Sequence, residues 1–373
     1  MNISIEKTKK NAAIFRKMAD EEDFQGAMKA RQAFAAFIRD PILEVIEAYP
    51  ALQSLFVNYQ YDYGTPSTIP LAPLFDIKDA GFIRVWAQSR PGGLATSSNS
   101  DVSELPVSTY GVESAVSFPL NFVRAARVDV IAAYLEHMSQ NFLKKTETNS
   151  AVVISAMAAQ TTYKLRGTDT YQVYRTATQG TVIPQDLNAM NRIMARVNTA
   201  NIGGTPAGMS RAINKLVGSP EFVEKLRNTA FQALNTNNTN GALGGPDQYR
   251  AEVYNAAGNL SWMGAEVVSL NDLGQNQPYN ILFANAAGSI TYAGYAAGSA
   301  KVFSPGSEEV VFGVNTRVKS FARLTENNPD SGSTLRVLAD NQFTNRSEEI
   351  GFFAKMREGR VGLDGKGVVA MVF

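Results

Sequence analysis

The stretch from Leu120 to Arg166 contains no glycine and no proline, although the whole chain has 29 glycines and 15 prolines. Large apolar residues recur in it at alternating spacings of three and four, which places them on one stripe of an α-helix: Val128, Ile131, Leu135, Met138 and Phe142. A helix over residues 123–160 would be about 55 Å long at a rise of about 1.5 Å per residue. Because so long a helix needs neighbours along its whole length, the sequence predicts a scaffold with Leu135 and Met138 buried. An ordinary core helix is the alternative.

The composition limits the classes of function that the chain can have. Hydrophobic residues make up 45% of the 373 residues, enough for a sizeable core, while charged residues make up only 18%, below the usual quarter. The 35 basic and 34 acidic residues leave a net charge of +1. A dedicated nucleic-acid-binding protein would carry a clear basic excess, so this class is disfavoured.

Residue types that carry most catalytic and metal chemistry are scarce. The chain has no cysteine and a single histidine, His137, which excludes disulfides, Cys-ligated zinc and a His-ligated cluster within one chain. The glycines around Lys366 miss the phosphate-loop pattern, since Arg360 occupies the first glycine position and Gly367 follows the lysine. We therefore predict no catalytic, cofactor-binding or metal site, and we interpret His137 as a packed or surface helix residue.

No part of the sequence is typical of a secretory signal or a membrane span. Met1 to Lys10 is polar and basic without an apolar segment, and no stretch approaches the roughly 18 apolar residues of a spanning helix. We expect a soluble protein made in a cytoplasm, without a membrane partner.

Before the long helix, the sequence predicts an arm, a helix and a ribbon. Residues 1–24 carry blocks of opposite charge, typical of an extended or helical arm with little core of its own or of a disordered terminus. Residues 25–48 have a helical pattern. The pattern of residues 65–110 predicts two strands, joined at the tip by flexible turn residues that include Arg90, Gly92 and Gly93. An isolated ribbon is marginal in water, so we expect another molecule to support it; a hairpin folded back on its own domain is the alternative.

After the long helix, the pattern predicts one clear helix, a capped helix and several strands. The first helix is Pro184 to Val197, and the second is capped by Ser219 with Pro220 at its first position. The predicted strands, as the alternation suggests, are Asn280 to Asn285, a single strand from Glu308 to Leu324, and two terminal strands, Phe352 to Met356 and Val368 to Phe373, around a turn at Glu358-Gly359.

The order of these parts resembles the major capsid proteins of tailed bacteriophages, whose Johnson fold is shared with herpesvirus shells and encapsulins. Val128 to Ala159 looks like the family's spine helix. Lys215 to Arg227 resembles the segment that opens its axial domain, and Gly258 to Val268 resembles its G-x-L-x-G-x-x-V strand. Tyr279 to Ala284 resembles the ILFGD strand, with Ala284 and Asn285 in place of Gly-Asp. The resemblance covers roughly residues 25–373.

The resemblance implies an α+β phage major capsid fold and a structural protein without an active site. Its expected parts are an N-terminal arm and helix (1–57), an extended β-ribbon loop (58–118), a peripheral domain with the spine helix (119–226), an axial domain (227–305) and return strands (306–373). It implies self-assembly into pentamers and hexamers of an icosahedral head, with portal, scaffold and decoration proteins as partners and packaged double-stranded DNA held non-specifically. The chain would be located in the virion after assembly in the host cytoplasm.

Other functions stay open at this point. An encapsulin-like compartment shell would have the same fold, and a soluble carbohydrate-active enzyme is the alternative from another class, because a pair of catalytic carboxylates is formed in space and not in sequence. The assembly residues that we predict are Lys78, Arg90, Gly92, Gly93, Leu135 and Met138.

Lys78 bears on whether a shell of this kind is cross-linked. Some members of the family form isopeptide bonds between a ribbon lysine and an asparagine of a neighbour. Lys78 lies in the ribbon between Asp76 and Asp79, which favour its charged, unreactive form, and Val361 to Phe373 contains no asparagine. We therefore predict that Lys78 makes only ion pairs.

Overall fold

The computed structural model of the chain describes residues 9–19, 23–48, 51–70, 104–125, 127–165, 168–197, 212–231, 261–262, 264–288, 292–293, 300–328, 333–340 and 349–373. Within these ranges helices and mainly antiparallel strands are combined, which confirms the predicted α+β class. Arg90, Gly92, Gly93 and Lys78 lie outside the described residues, as does the predicted tip of the ribbon.

The helices and strands are numbered in chain order. The α-helices are α1 Lys9–Met18, α2 Phe24–Ala48, α3 Leu120–Arg124, α4 Val128–Gln160, α5 Pro184–Val197, α6 Pro220–Phe231 and α7 Pro278–Ala287. The strands are β1 Val57–Asp62, β2 Thr68–Pro70, β3 Glu104–Pro106, β4 Tyr110–Pro119, β5 Thr162–Leu165, β6 Thr168–Tyr171, β7 Val173–Arg175, β8 Lys215–Gly218, β9 Ser261–Trp262, β10 Ala265–Ser269, β11 Tyr292–Ala293, β12 Ala300–Lys301, β13 Val310–Val314, β14 Phe321–Asn327, β15 Leu335–Asp340, β16 Glu349–Gly362 and β17 Val368–Val372.

Two sheets organise the chain. A five-stranded sheet is built around the long strand β16, which pairs antiparallel with β4, β14 and β15, while β1 joins β14 in parallel. A six-stranded sheet has the order β7-β17-β13-β8-β10-β9. Every residue of β13 and β17 is buried, and this explains why both strands are continuous apolar runs without alternation.

The long helix α4 is the scaffold that links the two sheets. Its first half places Leu135, Met138 and Phe142 in the core beside the five-stranded sheet. Its second half places Ile154 and Ala158 in the core of the six-stranded sheet and α7. The predicted helix over residues 123–160 is therefore confirmed, except that residues 125–127 separate the short α3 from α4.

The weak helix-forming segment from Thr146 to Ser150 does not interrupt α4. The hydroxyls of both residues are buried and donate hydrogen bonds inside the helix, to the carbonyl oxygens of Leu143 at 2.9 Å and Thr146 at 3.0 Å. Because each hydroxyl bonds to the preceding turn, these polar side chains are accommodated in a buried helix.

The described part of the N-terminal arm belongs to the core of its own subunit. Phe15 and Met18 of α1 are each 1% exposed. The ring of Phe15 meets that of Phe34 at 5.1 Å, and Phe34 meets Phe352 of β16 at 5.3 Å. The expectation of an arm with little core of its own is therefore wrong for α1, because Phe15 and Met18 lie at helical spacing on one face and are both buried.

The predicted strand from Asn280 to Asn285 is wrong. This segment is the helix α7, with Pro278 in its first turn. Asn280, Phe283 and Ala287 are all buried, at spacings of three and four, and Phe283 packs edge-on against Phe303. A short apolar run does not distinguish a strand from a buried helix, and here tertiary packing decides.

The predicted single strand from Glu308 to Leu324 is also wrong. It comprises β13 and β14, which belong to different sheets. At the intervening turn, Asn315 Oδ1 accepts a hydrogen bond from the backbone nitrogen of Arg317 at 3.1 Å, the local side-chain bond that favours turns. The predicted turn at Glu358-Gly359 is wrong as well, since β16 runs through both residues to Gly362.

Candidate assembly surfaces and the polar clusters behind them

The lower part of the ribbon is fixed to the body of the subunit. Strands β2 and β3 pair with Thr68 opposite Pro106, and the backbone nitrogen of Val107 donates to the carbonyl oxygen of Ser67 at 2.8 Å. Ile69 and Val107 are buried in an apolar cluster with Ala322 and Leu324 of β14. We call β2, β3 and residues 107–109 the ribbon base.

Gly359 allows the ribbon base to lie directly on β16. A Cβ atom at this position would be 2.8 Å from the carbonyl oxygen of Ser108 and 3.0 Å from the side chain of Val107. Carbon and oxygen atoms do not pack so closely, so any larger residue would push the ribbon base away from the sheet. The need for glycine here comes from a close backbone approach and not from an unusual φ angle.

A buried charge cluster lies on the other side of the same strand. The carboxylate of Glu358 is fully buried and accepts hydrogen bonds from Arg323 Nε at 2.9 Å and from Arg360 Nη2 at 3.0 Å. Burial opposes ionisation of this carboxyl, but the two guanidinium groups outweigh it and hold the pKa of Glu358 below its ordinary value. The cluster is therefore ionised at neutral pH.

Neighbouring polar groups connect this cluster to the ribbon base and to α4. The hydroxyl of Tyr110, at the start of β4, donates to Glu358 Oε1 at 3.3 Å. Burial and the Glu358 carboxylate raise the pKa of Tyr110 to about 12. From α4, the amide of Asn149 donates to Glu358 Oε1 at 3.4 Å, and Ser150 Oγ accepts from Arg360 Nη1. One set of hydrogen bonds thus joins the start of β4, which follows the ribbon base, to the sheet and to the scaffold helix α4.

Another carboxylate, that of Glu147 on α4, holds the segment between α2 and β1 in place. Glu147 accepts hydrogen bonds from the backbone nitrogens of Leu52 at 2.8 Å and Gln53 at 3.2 Å. Burial raises the pKa of Glu147, although these two donors and the nearby guanidinium groups of Arg360 and Arg323 act against that rise. The carboxylate therefore replaces water as the acceptor for two backbone groups.

A third cluster holds the edge of the six-stranded sheet. Arg175 of β7 and Glu308 form a bidentate ion pair, with both nitrogen–oxygen distances at 3.2 Å and both side chains buried. Glu308 Oε2 also accepts from the backbone nitrogen of Ser304 at 2.9 Å. Bidentate geometry fixes orientation as well as distance, so this pair sets the position of the loop before β13.

Ser219 and Glu309 tie α6 to the same sheet. Ser219 Oγ accepts from the backbone nitrogen of Phe222 at 3.0 Å, which confirms the predicted helix cap. The same hydroxyl donates to Glu309 Oε2 at 2.5 Å. The cap is therefore anchored to the residue that precedes β13.

The open face of the five-stranded sheet carries a polar concavity of about 580 Å³ beside the ribbon base. Its lining contains three cations and one carboxylate: Tyr63, Glu326, Asn328, Thr334, Arg336, Lys355 and Arg357. Arg336 lies directly opposite Lys355 in the β15–β16 register. We call this surface the basic groove.

Leu135 and Met138 are 0% and 3% exposed and face the subunit's own core. They therefore contribute to any assembly through the fold of α4. His137 is exposed on that helix. Among the described residues, no group of three or more His, Cys, Asp or Glu side chains has the arrangement of a metal site. No helix in the described ranges is both long and apolar enough to cross a membrane.

The sequence interpretation did not identify Arg323, Glu358, Arg360 or Glu147 as important. Arg323 interrupts an apolar run, and such an isolated charge in a strand pattern is a signal that could have indicated a buried pair. Glu358 gives no such signal, because it stands in the sequence between Arg357 and Arg360. The pairing itself joins β14 to β16, and no local pattern predicts that neighbourhood.

Comparison with known families and curated proteins gives no match by sequence. Solved structures with a similar course of the chain exist, at low identity. The capsid of a native GTA particle shares 12% identity at a TM-score of 0.48, over 86% of this chain and 89% of that chain. The capsid of the cyanophage P-SCSP1u shares 11% identity at a TM-score of 0.45, over 87% and 88%.

An encapsulin gives a similar result. The SrpI encapsulin complex from Synechococcus elongatus shares 11% identity at a TM-score of 0.44, over 86% of this chain and 85% of that chain. At such identities and TM-scores, the function has to be inferred from the residues of this chain. These three solved structures are two capsids and an encapsulin complex.

Proposed function

We propose that this chain is the major capsid protein of a tailed double-stranded DNA phage. It assembles into pentamers and hexamers of an icosahedral head that encloses the genome, and it has no catalytic role. In this proposal the chain resides in the virion after assembly in the host cytoplasm, and portal, scaffold and decoration proteins are its further partners.

The rigid ribbon base is the observation that carries this proposal. Both ends of the segment 71–103 leave from paired strands, at Pro70 and Glu104. The base is packed into an apolar cluster, seated on Gly359 and connected through Tyr110 to the Glu358 cluster. The points at which this segment leaves and rejoins the subunit are therefore fixed, as a clasp on a neighbouring subunit requires.

Ring assembly follows from such a clasp. A ribbon on one side of the subunit that engages a different surface of the next makes a heterologous contact, and such contacts close into rings when the rotation is right. In this proposal Arg90, Gly92 and Gly93 form the contacting tip, and Lys78 makes ion pairs there. A net charge of +1 limits repulsion between many copies.

The proposal also assigns a part of the capsid subunit to each range of residues. Residues 1–57 serve as arm and helix, residues 58–118 as extended loop, and residues 119–226 as peripheral domain. Residues 227–305 form the axial domain, and residues 306–373 supply the return strands of the peripheral and axial domains. The position of α4 supports a peripheral domain built on that helix, because its side chains are buried in the cores of both sheets.

A compartment shell of the encapsulin type is the second candidate, favoured by the similarity of the chain's course to one such shell. A shell of that kind would enclose a protein cargo instead of a genome. A carbohydrate-active enzyme needs two carboxylates flanking an open cleft, and Glu358 and Glu308, two well-buried carboxylates of the described chain, are both occupied by arginines.

Electron microscopy and sedimentation of the expressed protein test the proposal. We expect closed shells or ring-shaped capsomers, and we expect particles from the native source to contain double-stranded DNA and one portal vertex. Small discrete oligomers at all concentrations would contradict a shell function. Native particles that hold a protein cargo and no DNA would favour the compartment.

A further inference from the structure

The basic groove has a charge arrangement that the fold of one subunit does not explain. Arg336 and Lys355 are exposed and stand directly opposite each other on neighbouring strands, an arrangement in which like charges destabilise a sheet. Lys355 has an ion-pair partner in Glu113 at 2.5 Å, and Arg357 Nε donates to Thr109 at 3.1 Å. Arg336 has no ion-pair partner among the described residues. A cation kept beside another cation is better explained by an anion supplied from outside.

The sequence contains one run of more than two acidic residues, Asp20-Glu21-Glu22-Asp23. In the sequence it lies between α1, which ends at Met18, and α2, which begins at Phe24. Met18 is buried in the core, and Asp23 Oδ1 accepts from the backbone nitrogen of Gly26 at 2.9 Å, at the first turn of α2.

The two helices that flank the acidic run in the sequence, α1 and α2, pack on the side of the sheet opposite to the groove. Phe352, Ala354 and Met356 of β16 face α1, α2 and α4 in the core. Lys355 and Arg357 alternate with them and therefore face the opposite side. Within one copy the sheet therefore lies between the groove and the helices α1 and α2.

We propose that the basic groove binds the acidic segment 20–23 of a second copy of this chain. The proposal rests on the proposed shell function and names one of its contacts. Arginine pairs well with carboxylates because its planar donors fit two oxygens at once. A nucleic-acid backbone fits less well, since Glu326 lines the groove and Glu113 adjoins it, and the small net positive charge that results is not the clear basic excess of a nucleic-acid-binding surface.

Cross-linking tests the contact directly, because the chain has no cysteine. Thr334→Cys at the groove and Glu22→Cys in the run are combined in one chain, and assembled particles are treated with a short bismaleimide. A head-to-tail contact predicts a ladder of covalent dimers, trimers and higher multimers, whereas each single variant stays monomeric on a denaturing gel. Assembled particles of the double variant that give no ladder would overturn the proposal.

A charge exchange supplies an independent readout. Arg336→Glu alone, and Glu21→Lys with Glu22→Lys, should each raise the subunit concentration needed for assembly by at least about tenfold. The three changes together should restore it to within about threefold of the wild-type value. Lys145→Glu, on the exposed side of α4, is the matched control and should have no effect. Failure of the combined variant to recover, with folded subunits by circular dichroism, would overturn the contact.

The outcomes separate this proposal from the shell function. If wild-type protein forms no particles, both fall. If wild-type particles form but neither the ladder nor the rescue is observed, only the groove contact is wrong. If Arg336→Glu leaves assembly unchanged and reduces the DNA retained by the particles, the groove serves nucleic acid and the proposal is overturned.

Discussion

Arg323 Nε lies 2.9 Å from the Glu358 carboxylate, and neither side chain is more than 6% exposed. The two residues belong to neighbouring strands, and the strand of Glu358 also carries Gly359, on which the ribbon base rests. The polar centre of the five-stranded sheet and the attachment of the ribbon are therefore adjacent in one strand, on opposite faces of it.

Removal of the Glu358 charge should strongly destabilise the subunit. Glu358→Gln leaves two buried guanidinium groups without their anion, and breaking a buried pair on one side costs about 3–5 kcal/mol. Urea unfolding of the soluble subunit measures the change. Glu113→Gln removes the anion of an exposed pair with Lys355 and should cost less than about 1 kcal/mol. Equal losses for the two variants would show that the buried cluster has no special role.

Gly359→Ala should displace the ribbon base. The added methyl group would lie 2.8 Å from the carbonyl oxygen of Ser108, and we expect a cost of about 1–3 kcal/mol, as for overpacking elsewhere, together with weaker assembly. Gly111→Ala is the control, because its Cβ would meet only the flexible side chain of Glu113 at 3.2 Å. Thermal melting and light scattering measure the two effects. Wild-type behaviour of Gly359→Ala would mean that the base does not need this close approach.

Stability should depend on pH through Glu147. Its pKa is raised in the folded state from the ordinary 4.5, so the folded protein binds this proton more tightly than the unfolded chain does. The contribution of Glu147 to the free energy of unfolding is therefore largest below pH 4.5 and is lost as pH rises through the raised pKa. Glu147→Gln should remove this component, which a series of urea unfolding curves at different pH values detects. Parallel pH profiles for the two proteins would contradict this assignment.

Glu358 acts in the opposite direction. Its lowered pKa means that its stabilising contribution is present above pH 4.5 and is lost as pH falls through the folded pKa. The wild-type profile sums both carboxylates, so the comparison with Glu147→Gln is needed to separate them.

Deletion of residues 90–99 should uncouple folding from assembly. These residues lie outside the described cores, so the subunit should keep its circular dichroism and its melting temperature. Under the proposed function, the shortened ribbon no longer reaches its neighbour and shells should fail to form. Electron microscopy of purified protein reads the result. Normal shells from this variant would show that the ribbon is not an intermolecular clasp.

The shell should be held together without covalent bonds. Lys78 stands between two aspartates in the sequence, and nearby carboxylates favour the charged, non-nucleophilic form of a lysine. Boiling mature particles in SDS should release a single band near 40.4 kDa. A ladder of multimers that disappears in a Lys78→Ala variant, while Lys144→Ala keeps it, would show that this prediction is wrong.

Patterns with a long, regular period were predicted well from the sequence. The absence of glycine and proline between Leu120 and Arg166 and the stripe that contains Leu135 are enough to identify α4 and its buried face. The Ser219–Pro220 pair likewise identifies the start of α6. These features depend on local backbone geometry and on residues within a few turns of one another, and so the order of residues is sufficient to predict them.

Only the tertiary structure decided the remaining features. Asn280 to Asn285 is apolar enough for a strand or a helix, and burial of Phe283 against Phe303 selects the helix. Glu358 is polar enough for a turn, but Arg323 and Arg360 make it stable inside a strand. In both cases the deciding partner is distant in sequence, and its contribution to the free energy outweighs the local preference. The sequence by itself determined the scaffold helix and the general class of the fold. The packing of distant residues determined how the ribbon is attached and which charges are buried beneath it.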